Sequence, residues 1–359
     1  MGQKTVLIAG ATGLVGYAAL KHFGPAAIAV SRRVPPSLHG ARHVSLDLTD
    51  ATACQAAARD WAGVTHLVYA ALYELPGLVD GWRDEAQIRV NDRMLRNLLE
   101  PLIAAAPGLQ HVTLLQGTKA YGVHVRPMRV PAREGRSEMR EQPNFYWQQE
   151  DYLRARQAGQ PWHFTILRPV LIVGEAIGGA MNLIPALGVH AALMREKGTV
   201  LPYPGGGPRV SQAVDADLLA RAIDWAGDTT MARNETFNVT NGDVFVWENI
   251  WPAIADAAGM QTGPAEPFSL RSLLETAGPA WDAIRARHGL VSPSLPDFVG
   301  LSLEYADYQM RHGFAEPGPP SFVSTVKINQ AGFHETMDTE AMFRKWFRVF
   351  QEKRLLPNG

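Results

Sequence analysis

Apolar positions in this chain fall into two patterns. Short unbroken runs cover residues 5–9, 26–30, 43–46, 64–70, 110–115 and 162–167. With no alternation, such runs suit strands buried on both faces of a parallel sheet. Between them apolar residues recur every three to four positions, the period of an amphipathic helix. The spacing predicts helices over 14–23, over 50–61 with Thr49 or Asp50 as N-cap, and over 85–106. The last carries Ile88, Leu95, Leu98, Leu99 and Leu102 on one stripe and is expected to break at Pro101. A further helix opens near Tyr146. Strands alternating with helices in this way make an α/β, doubly wound parallel sheet. From Gly174 onward glycine and proline punctuate the chain and helices dominate, over 180–196, 214–226, 246–258, 269–277, 280–288, 303–312 and 338–353, with one strand at 236–239. The expected organisation is a sheet domain over 1–174, rejoined by 210–245, and a mainly helical cap over 175–359 that forms a substrate pocket at their interface.

The first strand leads into Gly10, Gly13 and Gly16, and a helix follows. Strand, glycine turn and helix N-terminus in that order form the dinucleotide site of a Rossmann fold. Gly10 permits the tight turn, Gly13 lets the backbone reach a pyrophosphate, and Gly16 lets the helix pack on the strand. Thr12, Leu14 and Val15 complete the loop, whose N–H groups face the phosphates at the positive end of the helix dipole. The second strand ends in Ser31-Arg32-Arg33 with no acidic residue. A carboxylate there binds the 2′-hydroxyl of NAD, whereas arginine accommodates the 2′-phosphate of NADP. NADP(H) is therefore the expected cofactor, with Ser31 and Arg32 nearest the phosphate and Arg33 stacked on adenine. Asp47-Leu48, ending the third strand, is placed to meet the adenine amine. Ala70 and Ala71, small residues after the fourth strand, let the cofactor lie close.

Composition narrows the picture further. A formal net charge of −1 with 19% charged residues gives no basis for nucleic acid or a membrane surface as partner. Cys54 is the only cysteine, which excludes an internal disulfide and fits a reducing cytosol. It lies in alanine-rich, helix-like sequence and reads as a packing residue. The first strand begins within four residues of Met1, so no leader is expected, and Val6 defeats the myristoylation pattern of Met1-Gly2. No apolar run approaches the ~18 residues of a membrane span. The expectation is a cytoplasmic protein with a small-molecule substrate; a homodimer stays open.

Ligands bind outside the carboxyl ends of the strands in such sheets, so chemistry is expected after strands five and six. The fifth is followed by Gln116-Gly117-Thr118-Lys119-Ala120-Tyr121-Gly122. Lysine is scarce, with seven in the chain, and one on a glycine-flanked loop at this edge is a functional candidate. Residues 143–151 open a helix with Tyr146 near its start, where Phe145 and Trp147 read as packing aromatics. A Tyr-x-x-x-Lys pair would put both side chains on one helix face. A literal match, Tyr17 and Lys21, lies on the phosphate-binding helix, remote from any nicotinamide. Tyr146 is followed at the fourth position by Glu150, and Tyr152 by Arg156. His39 and His43 have no further ligands, so no metal is expected, and no Gly-x-Ser-x-Gly elbow is present.

The glycine turn, Ser31-Arg32-Arg33, the loop Gly117-Thr118-Lys119-Ala120-Tyr121 and the run Asn144-Phe145-Tyr146-Trp147 together resemble the progesterone 5β-reductase and iridoid synthase-like enone reductases. Glu150-Asp151, Arg168-Pro169, Asp215-Ala216-Asp217-Leu218 and Asn241-Gly242-Asp243-Val244-Phe245 extend the likeness over almost the whole chain. These are an atypical branch of the extended short-chain dehydrogenases/reductases. The resemblance implies Lys119 and Tyr146 as catalytic residues and hydride transfer from NADPH to the β-carbon of an α,β-unsaturated carbonyl compound. Tyr146 would donate to the enolate oxygen, and Lys119 would hold ribose and nicotinamide and make Tyr146 a stronger acid. Gln116, Pro169 and Val170 would line the cofactor, with Val170 backbone reaching the carboxamide. Tyr121, Trp147, Gly178, Met181 and Asn182 would meet the substrate. Ala120 and Trp147 stand where the family has histidine and tyrosine. Carbonyl reduction, sugar-nucleotide epimerisation or dehydration, and non-catalytic NADP sensing are the alternatives on the same scaffold.

Overall fold

The computed structural model describes residues 4–75 and 80–359. Its chain divides into two compact units: Met1–Val170 with Asp217–Val239 and Val323–His334, and Leu171–Ala216 with Thr240–Phe322 and Glu335–Gly359.

The first unit holds strands β1 (Val6–Ala9), β2 (Ala27–Ser31), β3 (Arg42–Ser45), β4 (His66–Tyr69), β5 (His111–Leu115) and β6 (His163–Pro169). The second contributes the short β7 (Leu171–Val173), β8 (Leu201–Tyr203) and β9 (Ala213–Asp215), and β10 (Glu235–Val239) returns to the first. The seven-stranded sheet runs β10-β6-β5-β4-β1-β2-β3, with every pairing parallel. Its order reverses between β1 and β4, which opens a crevice beyond their carboxyl ends. In the second unit β7 pairs with β9, and β8 pairs with β11 (Thr262–Ala265). The short strands β7, β8, β9 and β11 have no counterpart among the expected runs; β8, β9 and β11 lie in the glycine- and proline-punctuated part of the chain.

Helices α1 (Leu14–Phe23), α2 (Ala51–Ala57), α3 (Glu85–Ala105) and α4 (Phe145–Gln157) belong to the first unit, and α5 (Leu183–Glu196) to the second. One core joins Leu67, Val112, Leu114 and Ile166 of the sheet to Leu95, Leu98, Leu99 and Leu102 of α3. Asp50 caps α2 by accepting from the Ala53 N–H, and Asp84 caps α3 through the N–H groups of Ala86 and Gln87. Contrary to expectation, α3 runs through Pro101. Proline removes one helical hydrogen bond, but the buried leucines on both sides hold the axis against the sheet. The sixth strand also runs two residues beyond its expected end: Arg168 and Pro169 pair with Asn238 and Val239 of β10. Proline sits there as the last residue, where little is lost by its missing donor. Helix α6 (Ala216–Asp228) starts two residues later than the periodicity suggests because Val214 is in β9.

At the opposite edge of the sheet, His66, His111 and His163 open β4, β5 and β6 in register. Burial first, then the neighbouring charges of His66, His163, Lys4 and Arg233, bring the His111 pKa down to about 3. His111 is thus neutral in the fold and protonated in the unfolded chain between pH 6.5 and about 3, so stability falls as pH drops through that window. His111→Phe is expected to flatten the pH dependence of urea stability between pH 7 and 5, while leaving stability at pH 8 less affected.

Candidate active site

The glycine turn is fixed by backbone contacts that leave no room for side chains. Gly10 has φ +84°, and a Cβ there would stand 2.7 Å from the Ala70 carbonyl oxygen and 2.8 Å from the Ala71 Cα. A Cβ on Gly16 would stand 2.1 Å from the Gly10 carbonyl oxygen. Ala70 and Ala71 thus lie against the turn at the point where strand order reverses. Gly13 is exposed and caps α1 without a side-chain bond, while Thr12, Leu14 and Val15 are half-buried beside it. The first N–H groups of α1 have no preceding helical carbonyl and face outward to an anion. This glycine-walled, uncapped cradle fits a pyrophosphate.

At the end of β2, Arg32 and Arg33 are exposed. Ser31 is buried, and its hydroxyl donates to the Arg33 carbonyl at 2.7 Å. His43 Nε2 donates to the Ser31 carbonyl at 3.2 Å and lies at the same distance from its hydroxyl. Ser31 therefore shapes the loop that presents the arginines, a role for it and for His43 that the motif alone does not reveal. The Asp47 carboxylate accepts from the Thr49 N–H and hydroxyl, which hold its pKa down, with Arg32 adding to the effect. Leu48 is buried, and its carbonyl accepts from Asn97.

After β5, Gly117 to Gly122 form a tight turn with Thr118–Tyr121 in a 3-10 helix. Asn144 caps α4 by accepting from the Tyr146 N–H, and its amide donates to the Lys119 carbonyl at 3.4 Å, which ties the two loops together. The Lys119 ammonium stands 3.6 Å from the centre of the Trp82 ring, and the Tyr146 ring meets the same indole edge-on at 5.6 Å. A Cβ on Gly117 would lie 3.4 Å from both the Tyr146 hydroxyl and the Pro169 carbonyl oxygen. Lys119, Tyr146, Gly117 and Pro169 thus share one corner. Val170 lies next to it, with its N–H directed to the Val239 carbonyl at 3.4 Å.

Desolvation lowers the Lys119 pKa to about 8 against the opposing pull of Glu74. Tyr146 is shifted the other way: burial first, then the Glu74 charge, raise it above the usual phenol value, with Arg168 opposing. The expectation that the site makes Tyr146 a stronger acid is therefore corrected. Its hydroxyl stays protonated, a neutral hydrogen-bond donor. Glu74, whose carboxyl is itself raised by burial, and Trp82 come from the segment after β4 and carry no motif. Their position beyond a central strand's carboxyl end is the one signal that could have found them. His124 was missed as well. Both its ring nitrogens are buried without a partner among the described residues, and burial, then Lys119 and Arg83, bring its pKa to about 4.

Behind this corner lies a buried ion network. Arg168, 1% exposed, donates to Gln116 Oε1 at 2.8 Å, Glu138 at 2.6 Å, Glu150 at 3.1 Å and the Tyr121 hydroxyl at 3.4 Å. Gln116 in turn donates to the Tyr146 carbonyl and to Glu150, both at 3.3 Å. The Tyr121 hydroxyl donates to Asn238 at 2.6 Å, so its proton is committed inside the unit. Trp147 is buried, its indole N–H donating to the Gln142 carbonyl and its ring lying near Arg140 and Arg168. Tyr17 and Lys21 stand apart from this corner, Tyr17 beside His39 and Lys21 paired with Asp217.

The remaining candidates belong to the second unit. Gly178, at φ +67°, donates to the Phe298 carbonyl and would carry a Cβ 2.8 Å from the Asp297 carbonyl oxygen. Asn182 is buried and donates to the carbonyls of Gly174 and Ala176, both at 2.8 Å, and Met181 beside it is half-buried. Among the described residues, no helix is long and apolar enough to cross a membrane.

A family model described as the PRISE-like Rossmann-fold domain matches residues 52–300. The (S)-8-oxocitronellyl enol synthase of Nepeta cataria is 31% identical over 322 residues, covering 82% of this chain and 79% of that one. The enzyme of that name from Antirrhinum majus is 28% identical over 382 residues, covering 99% and 93%. Among solved structures, UDP-glucose 4-epimerase from Thermotoga maritima superposes with a TM-score of 0.67 at 15% identity, covering 97% of this chain and 99% of its own. That of Thermus thermophilus, solved with NAD, gives 0.65 at 18% identity over the same shares. At such identity the epimerases share the fold alone. The motif resemblance and the family match point the same way: the chain belongs to the PRISE-like Rossmann-fold family, as an NADP(H)-dependent enzyme of the reductase type.

Proposed function

We propose that the protein reduces the C=C bond of an α,β-unsaturated carbonyl compound. The observation that carries this reading is the corner where the protonated Tyr146 hydroxyl and the Lys119 ammonium converge around Trp82. The glycine turn would hold the pyrophosphate and Arg32 and Arg33 the 2′-phosphate; the bound cofactor supplies the hydride. Negative charge then grows on the substrate's carbonyl oxygen. Tyr146, a neutral donor in a dry site, answers that charge by hydrogen bonding, which is worth most where water is excluded. Lys119 adds a positive charge, half-buried and steadied by Glu74. Tyr121 is unsuited to the donor role because its proton already goes to Asn238. The (S)-8-oxocitronellyl enol synthases among the relatives support enol chemistry for this chain.

The test is NADPH oxidation with a small cyclic enone and with the saturated ketone of the same skeleton. Consumption with the enone alone, giving the saturated ketone, is expected; turnover of the saturated ketone instead would assign carbonyl reduction. Because the Lys119 pKa is about 8, activity is expected to decline as pH rises through 8, and Lys119→Met should remove that limb along with most of the rate. Arg32→Ala/Arg33→Ala is expected to raise KM for NADPH by about tenfold or more, through loss of charge-assisted hydrogen bonds. KM for NADH, which has no 2′-phosphate, should change little.

A further inference from the structure

In the second unit, two arginines, Arg209 and Arg311, make no ion pair with a carboxylate among the described residues. Arg209 follows Gly205-Gly206-Gly207-Pro208, a run pressed against the loop over 310–316. The N–H groups of Gly206 and Gly207 donate to the carbonyls of Met310 and Phe314, and a Cβ on Gly206 would stand 2.2 Å from the Arg311 carbonyl oxygen. The guanidinium of Arg209 lies 5.9 Å from the Tyr308 ring centre. Its Nη2 donates to the backbone and side-chain carbonyls of Gln309 at 3.0 and 3.3 Å, both neutral acceptors. Its Nε is buried without a partner, and so is that of Arg311, whose Nη2 donates to the Glu316 carbonyl at 3.1 Å. The Tyr308, Tyr305 and Tyr203 phenols face Arg209 as neutral groups, and the charge of Arg311 opposes its own.

Both residues are half-buried, and a guanidinium partly removed from water without a counter-charge is costly, the more so with a second one beside it. Packing alone is served better by an apolar residue of the same volume. Arginine's planar fork matches a carboxylate or phosphate with two parallel hydrogen bonds. We propose that Arg209, supported by Arg311, forms an oxyanion-binding subsite, so that a ligand of the second unit carries a carboxylate or phosphate group. This goes beyond the enone reading and does not depend on it.

The test uses full-length protein saturated with NADPH, so that the phosphate-binding groups of the first unit are occupied. Thermal unfolding is followed against sodium phosphate, sodium acetate and sodium chloride at constant ionic strength. The wild type is expected to gain Tm with phosphate or acetate beyond the gain with chloride. A response to phosphate alone assigns a phosphorylated ligand, and one to acetate alone a carboxylate. Arg209→Gln is expected to weaken that response at least about tenfold, as loss of a charged hydrogen-bonding group does. Its Tm without anion should be equal or higher, because an unanswered, half-buried charge is removed, and its NADPH affinity should be unchanged. Arg209→Lys, which keeps the charge but not the fork, should lose the response several-fold. An equal response in wild type and both variants, no response beyond chloride, or a lower anion-free Tm in Arg209→Gln would overturn the proposal.

Discussion

Tyr146→Phe is expected to lower kcat on an enone by about a hundredfold to a thousandfold, the usual loss when one preorganised oxyanion donor is removed. KM should change little, since the hydrogen bond strengthens only as charge develops on the substrate oxygen. The fold should tolerate the change. The phenyl ring keeps its contacts with Phe145 at 4.8 Å and Trp82 at 5.6 Å. The hydroxyl makes no hydrogen bond among the described residues, so none loses a partner. Tyr121→Phe is the matched control. Its hydroxyl links Asn238 to Arg168, so its loss leaves buried polar groups unpaired and is expected to reduce stability by about 1–3 kcal/mol. The folded variant should retain most of its rate. Steady-state kinetics and urea unfolding on both variants check this, and the reverse result would move the donor role to Tyr121.

Arg168→Ala is expected to be the most destabilising single substitution discussed, by about 3–5 kcal/mol, as when one partner is removed from a buried ion network. Glu150 would keep Arg154 at 3.0 Å, whereas Glu138 would keep only backbone donors from Gly135 and Ser137. Glu138 is held below the usual carboxylate range despite its burial, chiefly by the Gly135 N–H and by Arg168. Without Arg168 it should take up a proton more readily. The stability deficit should therefore be partly relieved by Glu138→Gln in the same chain, a non-additive pair in a double-mutant cycle. Urea midpoints for the four proteins measure it. Because Gln116 joins Arg168 to the Tyr146 carbonyl, activity per folded molecule should fall as well.

The first strand, the glycine turn and the helix after it were legible because their signals are local. An unbroken apolar run, glycines three apart and a helical period lie within residues 5–23, and Gly16 packs against Gly10 inside that stretch, while Gly10 meets Ala70 and Ala71 outside it. Gly10 and Gly16 are glycines because neighbouring backbone occupies the space of their side chains. The reacting corner is different. Lys119 stands out by its place on a glycine-flanked loop at the active edge, but its pairing with Tyr146 comes only through resemblance to a family, since nothing in their spacing, across a charged loop, brings them together. Glu74, Trp82 and His124 had no signal beyond their place after a strand, because their neighbours are distant in sequence. The Tyr146 pKa direction was misjudged for the same reason: motif reading supplies the cation but neither the burial nor Glu74. Boundaries at Pro101 and Pro169 shifted where tertiary packing outweighed local propensity.

The most direct test of enone reduction is the fate of deuterium from NADPH labelled at its transferable position. With a cyclic enone, the label is expected at the β-carbon of a saturated ketone, with the carbonyl carbon unlabelled. Deuterium at the carbonyl carbon of an allylic alcohol would contradict the assignment and make the protein a carbonyl reductase.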